Sequence, residues 1–295
     1  MRKIRLFYSF LWLVFILLSA YVFTFFPGTK TIPNKLGPFQ LYAIMITMGA
    51  IFAYLAALLL GPVKGIEEEL IDKFALVAIP FGLVGARLGF VLQNAEYYQN
   101  HPLEVIGITP DGFGLSGLSI HGVIVAGVLC LLLFYGWVGL RTLDLGDLGA
   151  TILLIGQAFG RFGNFFNQEL YGYPTSVPWK MFIDPAHRLA GYYDQAFYHP
   201  TFFYEGFLCL LGATILAYRF LHKRRFRGQI VLEYLMLYSL IRFVVEFFRI
   251  EPPSLWGLHT AQLLSLVIIV LCGIMYVLTL RFGQKLFVGE ARQTP

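Results

Sequence analysis

Eight apolar stretches, near residues 6–26, 39–61, 74–93, 118–138, 148–166, 201–221, 229–249 and 258–280, decide most of what this chain can fold into. Each is close to the ~20 residues that a helix needs to cross the hydrocarbon core of a bilayer. Lipid offers the backbone no water, so each stretch must satisfy its own N–H and C=O groups, and a helix does so. The expected fold is all-α: a polytopic integral membrane helical bundle of about eight spans. Charged residues make up only 13% of the chain, where an ordinary soluble domain carries about 25%, so a soluble fold is excluded.

The net charge of +5 does not point to nucleic acid, because its distribution follows the spans. With the amino terminus in the cytoplasm, the inner segments hold Arg2, Lys3, Arg5, Lys64, Lys73, Arg141, Arg219, Lys223, Arg224, Arg225, Arg227, Arg281, Lys285 and Arg292. The outer segments hold only Lys30, Lys35, Lys180, Arg188 and Arg249, leaving Arg87, Arg161 and Arg242 within the membrane. This asymmetry predicts that both termini are cytoplasmic and that the number of spans is even. The apolar run from Leu6 to Phe26 is longer than the core of a signal peptide and lacks a small-x-small cleavage site, so it reads as a retained helix. Cys130, Cys209 and Cys272 fall inside spans with no Cys/His metal spacing, and they read as packing residues. No metal, nucleotide or other cofactor is implied.

The fifth stretch ends in Gly160-Arg161-Phe162-Gly163-Asn164-Phe165-Phe166-Asn167-Gln168-Glu169-Leu170-Tyr171-Gly172. An ionisable residue deep in a membrane helix costs roughly 2.5 to 3.5 kcal/mol on insertion scales and normally faces a protein interior or a wet cavity. A helix continuing through the asparagines would place Arg161, Asn164 and Asn167 on one face. Gly156 and Gly160 form a small-xxx-small pair that admits a neighbouring helix. In the seventh stretch Tyr238, Arg242, Glu246 and Arg249 recur at helical spacing and form one polar stripe. Taken singly, each feature has a structural reading: a polar packing patch, an isolated ion pair, or, for Tyr42 and His259, a place at the membrane interface. Arg87 reads equally as part of an internal network or as a snorkelling side chain.

The pattern G-R-x-G-N-F-x-N-x-E-x-x-G in that stretch resembles the signature of the prolipoprotein diacylglyceryl transferases, bacterial inner-membrane enzymes. Ser119-Ile120-His121-Gly122, His199-Pro200-Thr201-Phe202-Phe203-Tyr204-Glu205 and Arg242-Phe243-Val244-Val245-Glu246-Phe247-Phe248-Arg249 resemble three further motifs of the same family. The resemblance covers about residues 37–280. It implies a seven-span core with one additional amino-terminal helix in 1–36, a small periplasmic cap near 169–200, and a cytoplasmic tail from 281 to 295. It also implies a multi-pass protein of the bacterial cytoplasmic (inner) membrane with its active site near the outer leaflet.

The activity implied is transfer of the diacylglyceryl group from phosphatidylglycerol to the lipobox cysteine of a prolipoprotein signal peptide. Lipids and that peptide are the expected partners, without nucleic acid. The family's roles fall here on Arg161 and Arg242 as a phosphate clamp, and on Asn164 to orient the head group. Glu169 and Glu246 would position the arginines, His121 would accept the thiol proton, and Tyr42 would hydrogen-bond phosphate or glycerol. Asn167, Gly172, Tyr238, Arg249, His199 and Glu205 fall among the substrate-binding or supporting positions, Gly172 by allowing a close turn against the lipid.

The chain departs from the family at four places. It lacks the Trp-Tyr-Gly around Tyr42, has Val123 after His121-Gly122, continues Arg249 with Ile250-Glu251-Pro252-Pro253, and adds the first helix. A divergent lipid-group transferase with another acceptor therefore stands as one alternative, and an anion or lipid transporter, with Arg161, Arg242 and Glu246 lining a passage, as another. Gly114-Leu115-Ser116-Gly117 resembles a rhomboid protease motif, but Ser116 lies only five residues from His121, and a flexible loop accounts for it better.

Overall fold

A computed structural model describes residues 1–109, 112–113, 117, 119–139, 141–251 and 256–287. Gly114, Leu115, Ser116, Pro252, Pro253 and the end of the expected tail lie outside the described residues. The long helices are α1 (Arg2–Phe23), α2 (Leu41–Leu60), α3 (Glu68–Gln93), α5 (Ile120–Val138), α6 (Arg141–Phe166), α7 (Thr201–His222), α8 (Gln229–Glu246) and α9 (Thr260–Phe287), with a short α4 (Ala95–Asn100). They correspond one for one to the apolar stretches, and the protein is a polytopic helical membrane protein.

Six of these helical segments, Arg2–Phe23, Leu41–Lys64, Glu68–Gln93, Arg141–Phe166, Thr201–His222 and Thr260–Phe282, are long and apolar enough to cross a membrane. Helix α5 contributes a shorter apolar run, Val125–Val138. Helix α8 is only 18 residues long and carries Glu233, Arg242 and Glu246, so its composition alone does not mark it as a span. Three antiparallel pairs of two-residue strands punctuate the loops: β1 (Lys35–Leu36) with β2 (Phe39–Gln40), β3 (Ile108–Thr109) with β4 (Gly112–Phe113), and β5 (Met181–Phe182) with β6 (Phe197–Tyr198).

The chain divides into two compact units, residues 65–146 and the remainder. In the first, α3 and α5 approach backbone to backbone: a Cβ on Gly122 would collide with the Gly85 carbonyl, and one on Gly89 would stand 2.8 Å from the Gly122 Cα. Arg87 is buried, and it donates to the carbonyls of Glu104, Val105 (2.9 Å) and Gly117 (3.2 Å). It does not snorkel; it ties Glu104, Val105 and Gly117 to α3.

In the second unit the amino-terminal helix is part of the core. Phe15 of α1 is buried with its ring 5.1 Å from that of Phe162, and Trp12 Nε1 donates to Thr214 Oγ1 at 3.1 Å. In lipid such contacts hold helices together by close packing and hydrogen bonding, since the rings leave no water behind. Helices α2 and α6 meet at glycines, since a Cβ on Gly49 would lie 2.8 Å from the Gly156 carbonyl oxygen. Gly160 has open space beside it instead, so only Gly156 of the expected pair makes a helix contact.

The start of α8 is fixed by a residue from far away in the chain. Asp147 of α6 is fully buried and accepts from the backbone N–H groups of Gly228 (2.9 Å), Ile230 (2.8 Å) and Val231 (3.1 Å), while Arg224 lies 3.1 Å away. It thus satisfies donors that every helix leaves open at its amino end. With α6 and α8 locked together there, the polar stripes farther along both helices hold a fixed relation.

Candidate active site

Within that unit, α6, α7, α8 and the turn after α8 bring Arg161, Arg242 and Arg249 together with Glu205 and Glu246. Glu205, 2% exposed and one turn into α7, lies between two of the arginines. Its Oε1 is 2.5 Å from Arg161 Nη2 of α6, and its Oε2 is 3.6 Å from Arg242 Nη1 of α8. Tyr238 donates its hydroxyl proton to the same Oε1 at 3.1 Å. The approach depends on the next residue, Gly206, where a Cβ would stand 3.1 Å from the Ala158 carbonyl and press α7 away from α6.

Glu246 forms the second anionic centre. Its Oε2 lies 2.7 Å from Arg242 Nη2 and 3.6 Å from Arg249 Nε, and Arg249 Nη2 also lies 3.5 Å from Glu251 Oε1. Arg242 and Glu246, four residues apart on α8, share a face, whereas α8 ends at Glu246 and Arg249 lies beyond it, not on the helical stripe expected for it. His259, read from the sequence as interfacial, instead points its Nδ1 toward Glu246 Oε1 at 3.7 Å.

Beyond Arg161 the motif bends back on itself. Helix α6 stops at Phe166, so Asn167 lies in a turn and not on the helical face expected for it. Arg161 Nη1 donates to Asn164 Oδ1 at 3.2 Å, and both Asn164 (2.8 Å) and Asn167 (3.3 Å) donate to Glu169 Oε1. The expectation that Glu169 positions an arginine is therefore corrected: Glu169 gathers the asparagines, and Glu205 holds the arginines. The turn that allows this is strained, with Gln168 at φ 51° and Leu170 at φ 54°, a region costly for any residue with a Cβ. Gln168 offsets the strain with two bonds, donating to Asp184 Oδ2 and accepting from the Asp184 N–H at 2.8 Å.

Tyr42 of α2 packs its ring against the motif, where a Cβ on Gly163 would lie 2.8 Å from Tyr42 Cδ2. Gly172 corrects a second expectation. The space that a Cβ would need there is taken by the Phe248 carbonyl, the His199 Cβ and Thr201 Cγ2, so protein rather than lipid requires this glycine. Gly172 also forms a β-bridge with Arg249, joining the segment that follows α6 to the residues just past α8.

That segment, residues 169–200, is held by strands β5 and β6 and by its tyrosines: Tyr198 donates to the Tyr192 and Gln195 carbonyls and Tyr171 to that of His187. His199 stands apart from the arginines. Its Nδ1 shares a hydrogen bond with Tyr204 OH at 3.0 Å, and Trp179 Nε1 donates to the same hydroxyl at 2.8 Å. Burial lowers the His199 pKa below the usual imidazole value, favouring the neutral ring. His121 begins α5 in the other unit, and its side chain lies outside the described residues.

The arrangement suits an anion. Arg161 and Arg242 keep 19% and 20% of their side chains exposed, and each guanidinium has five N–H donors, more than its carboxylate partners occupy. Donors held in advance at partly dry positions can bind a phosphate and stabilise charge that builds on it. Among the described residues no cluster of His, Cys, Asp and Glu could hold a metal ion.

Sequence comparison gives the same direction. The family model for prolipoprotein diacylglyceryl transferase matches residues 32–278. The phosphatidylglycerol–prolipoprotein diacylglyceryl transferase of Thermotoga maritima is 36% identical over 277 residues, covering 92% of this chain and 87% of the relative. The enzymes of the same name from Streptococcus agalactiae and Gloeobacter violaceus are 34% and 36% identical, covering 85% and 78% of this chain and 96% and 84% of their own lengths.

Proposed function

The chain belongs to the prolipoprotein diacylglyceryl transferase family, and we propose that it transfers the diacylglyceryl group of phosphatidylglycerol to the lipobox cysteine of a prolipoprotein. The thiol sulfur forms a bond to the glyceryl carbon that carries the phosphate. The carbon–oxygen bond breaks, and its electron pair leaves with glycerol phosphate. The observation that carries this reading is the buried Glu205 holding Arg161 and Arg242 side by side, two cations with donors to spare.

In this reading Arg161 and Arg242 clamp the phosphate and take up its growing charge. A guanidinium suits the task because it stays protonated in a poor dielectric and donates in a fork. Asn164 and Asn167, turned by Glu169, orient the head group, with Tyr42 beside them. Tyr238 and Glu246 hold the arginines, and the buried Arg249 shares Glu246 with Arg242. Gly172, His199 and Glu205 act by shaping the site. The thiol must lose its proton, since free cysteine titrates near 8.5, and His121 is assigned that proton on family resemblance and the suitability of imidazole near neutral pH.

The test incubates the purified protein in phosphatidylglycerol vesicles with a lipobox peptide and weighs the peptide by mass spectrometry. A diacylglyceryl mass increase on cysteine, absent with Arg161→Ala, is the expected result. An unmodified peptide, under conditions where the Thermotoga maritima enzyme modifies it, rejects the assignment for this acceptor. Consumption of lipid without peptide modification would favour a different acceptor.

The basic residues favour a bacterial cytoplasmic membrane with both termini inside and the arginine site near the outer leaflet. The native cysteines are buried, so introduced ones report cleanly. In intact cells an impermeant maleimide is expected to label Ser176→Cys in the cap and to spare Arg225→Cys until the cells are opened. The reverse pattern would invert the topology.

A further inference from the structure

The last helix begins with a side chain that the proposed clamp does not yet use. His259 Nδ1 is buried, has no hydrogen-bond partner among the described residues, and lies 3.7 Å from Glu246 Oε1. Two other buried atoms around that carboxylate share the condition. Arg249 Nε stands 3.6 Å from Glu246 Oε2 without a hydrogen bond, and Oε2 itself is close to Arg242 Nη2 but not aligned with its N–H bonds. Buried polar atoms are usually satisfied, so three of them without an aligned hydrogen bond at one carboxylate call for an explanation.

The main chain at His259 is held in place. The His259 backbone N–H donates to Gln262 Oε1 at 2.9 Å, and Gln262 Nε2 donates to the carbonyl of Phe243, next to Arg242, at 3.3 Å. The first turn of α9 is thereby clipped to α8 with the ring facing Glu246. A closure of about 0.8 Å would bring Nδ1 to hydrogen-bond distance.

Resting on the phosphate-clamp reading, we propose that His259 is a positioning residue for the clamp. Its Nδ1–H donates to Glu246 Oε1 and turns the other carboxylate oxygen onto Arg242 and Arg249. In chemical terms His259 supplies the third support of Glu246. It fixes one oxygen, so that the two guanidiniums share the second and Arg242 keeps its remaining N–H groups directed at the phosphate.

The test compares wild type, His259→Leu and His259→Asn in phosphatidylglycerol nanodiscs with the lipobox peptide. Asparagine carries a nitrogen near the position of Nδ1, and leucine carries none. The leucine variant is expected to lose about tenfold in kcat, the low end of what an outer partner of a liganding group contributes, with KM for the lipid nearly unchanged. The asparagine variant should recover most of that loss. Equal rates for leucine and wild type, or equal loss in both variants, would overturn the proposal. A second readout needs no acceptor: 15N NMR of histidine-labelled wild type should show His259 as the Nδ1–H tautomer, and a bare Nδ1 would overturn the proposal whatever the rates. If wild type transfers nothing to the peptide, the functional reading fails, while the tautomer still decides whether His259 holds Glu246. The same spectrum decides the matter if the leucine variant does not fold.

Discussion

Arg161→Lys is expected to lower kcat for diacylglyceryl transfer by about 100- to 1,000-fold while leaving the protein folded, the loss seen when one donor to a developing anion is removed. Lysine keeps the positive charge opposite Glu205, so the buried ion pair survives. It cannot keep the geometry. Arg161 uses Nη2 for Glu205 and Tyr238 and Nη1 for Asn164, and still presents N–H groups to a ligand. An ammonium is a point charge with three donors on a flexible stem, and it cannot span those partners and a phosphate together. The measurement is kcat and KM by quantitative mass spectrometry, beside an apparent thermal midpoint. A lysine variant within threefold of wild type would mean that charge alone suffices and that the forked clamp is wrong.

The second large effect belongs to Glu205. Glu205→Ala leaves Arg161 and Arg242 facing each other without the carboxylate between them. Removing one partner of a buried ion pair costs about 3 to 5 kcal/mol, and the lower end applies because each guanidinium is about one-fifth exposed. At ~2 to 4 °C per kcal/mol for a chain of this size, the apparent midpoint should fall on the order of 10 °C. Membrane proteins of this kind commonly unfold irreversibly, so the comparison is made at one scan rate. Glu205→Gln keeps the shape and one acceptor and should lose less stability, yet it should still lose activity because the arginines are no longer drawn together. An alanine variant as stable as wild type would show that water and membrane charge satisfy the arginines, and that Glu205 is not what assembles the site.

These expectations bear on how much of the site was legible in the chain. The polar stripe of α8 was legible for Tyr238, Arg242 and Glu246, which recur at the period of a helix so that local geometry places them on one face, but not for Arg249, since α8 ends at Glu246. Arg161 and Asn164 were legible for the same reason. Asn167 was not, since α6 ends one residue earlier and the strained turn at Gln168 and Leu170 returns Glu169 to the asparagines. Neither glutamine nor leucine announces a positive φ. The partnership of Glu205 with two arginines was hidden by separation along the chain, as were the anchoring of Gln168 by Asp184 and the cap that Asp147 places on α8. The amino-terminal helix read as an addition to a core, yet Trp12 and Phe15 place it within one.

By itself, then, the sequence determined the solvent, the class and the periodic faces. Apolar runs of spanning length leave the backbone no alternative to helices, and a motif as long as Gly160 to Gly172 carries a family with it. Only the tertiary structure decided which charges meet. Pairing in a bundle depends on how closely helices can approach, and glycines at 49 and 206 set that distance here. It depends also on where chain ends and turns are pinned, as Asp147, Gln168 and Gln262 pin them. Those constraints act across tens of residues and through space, where helical periodicity carries no information.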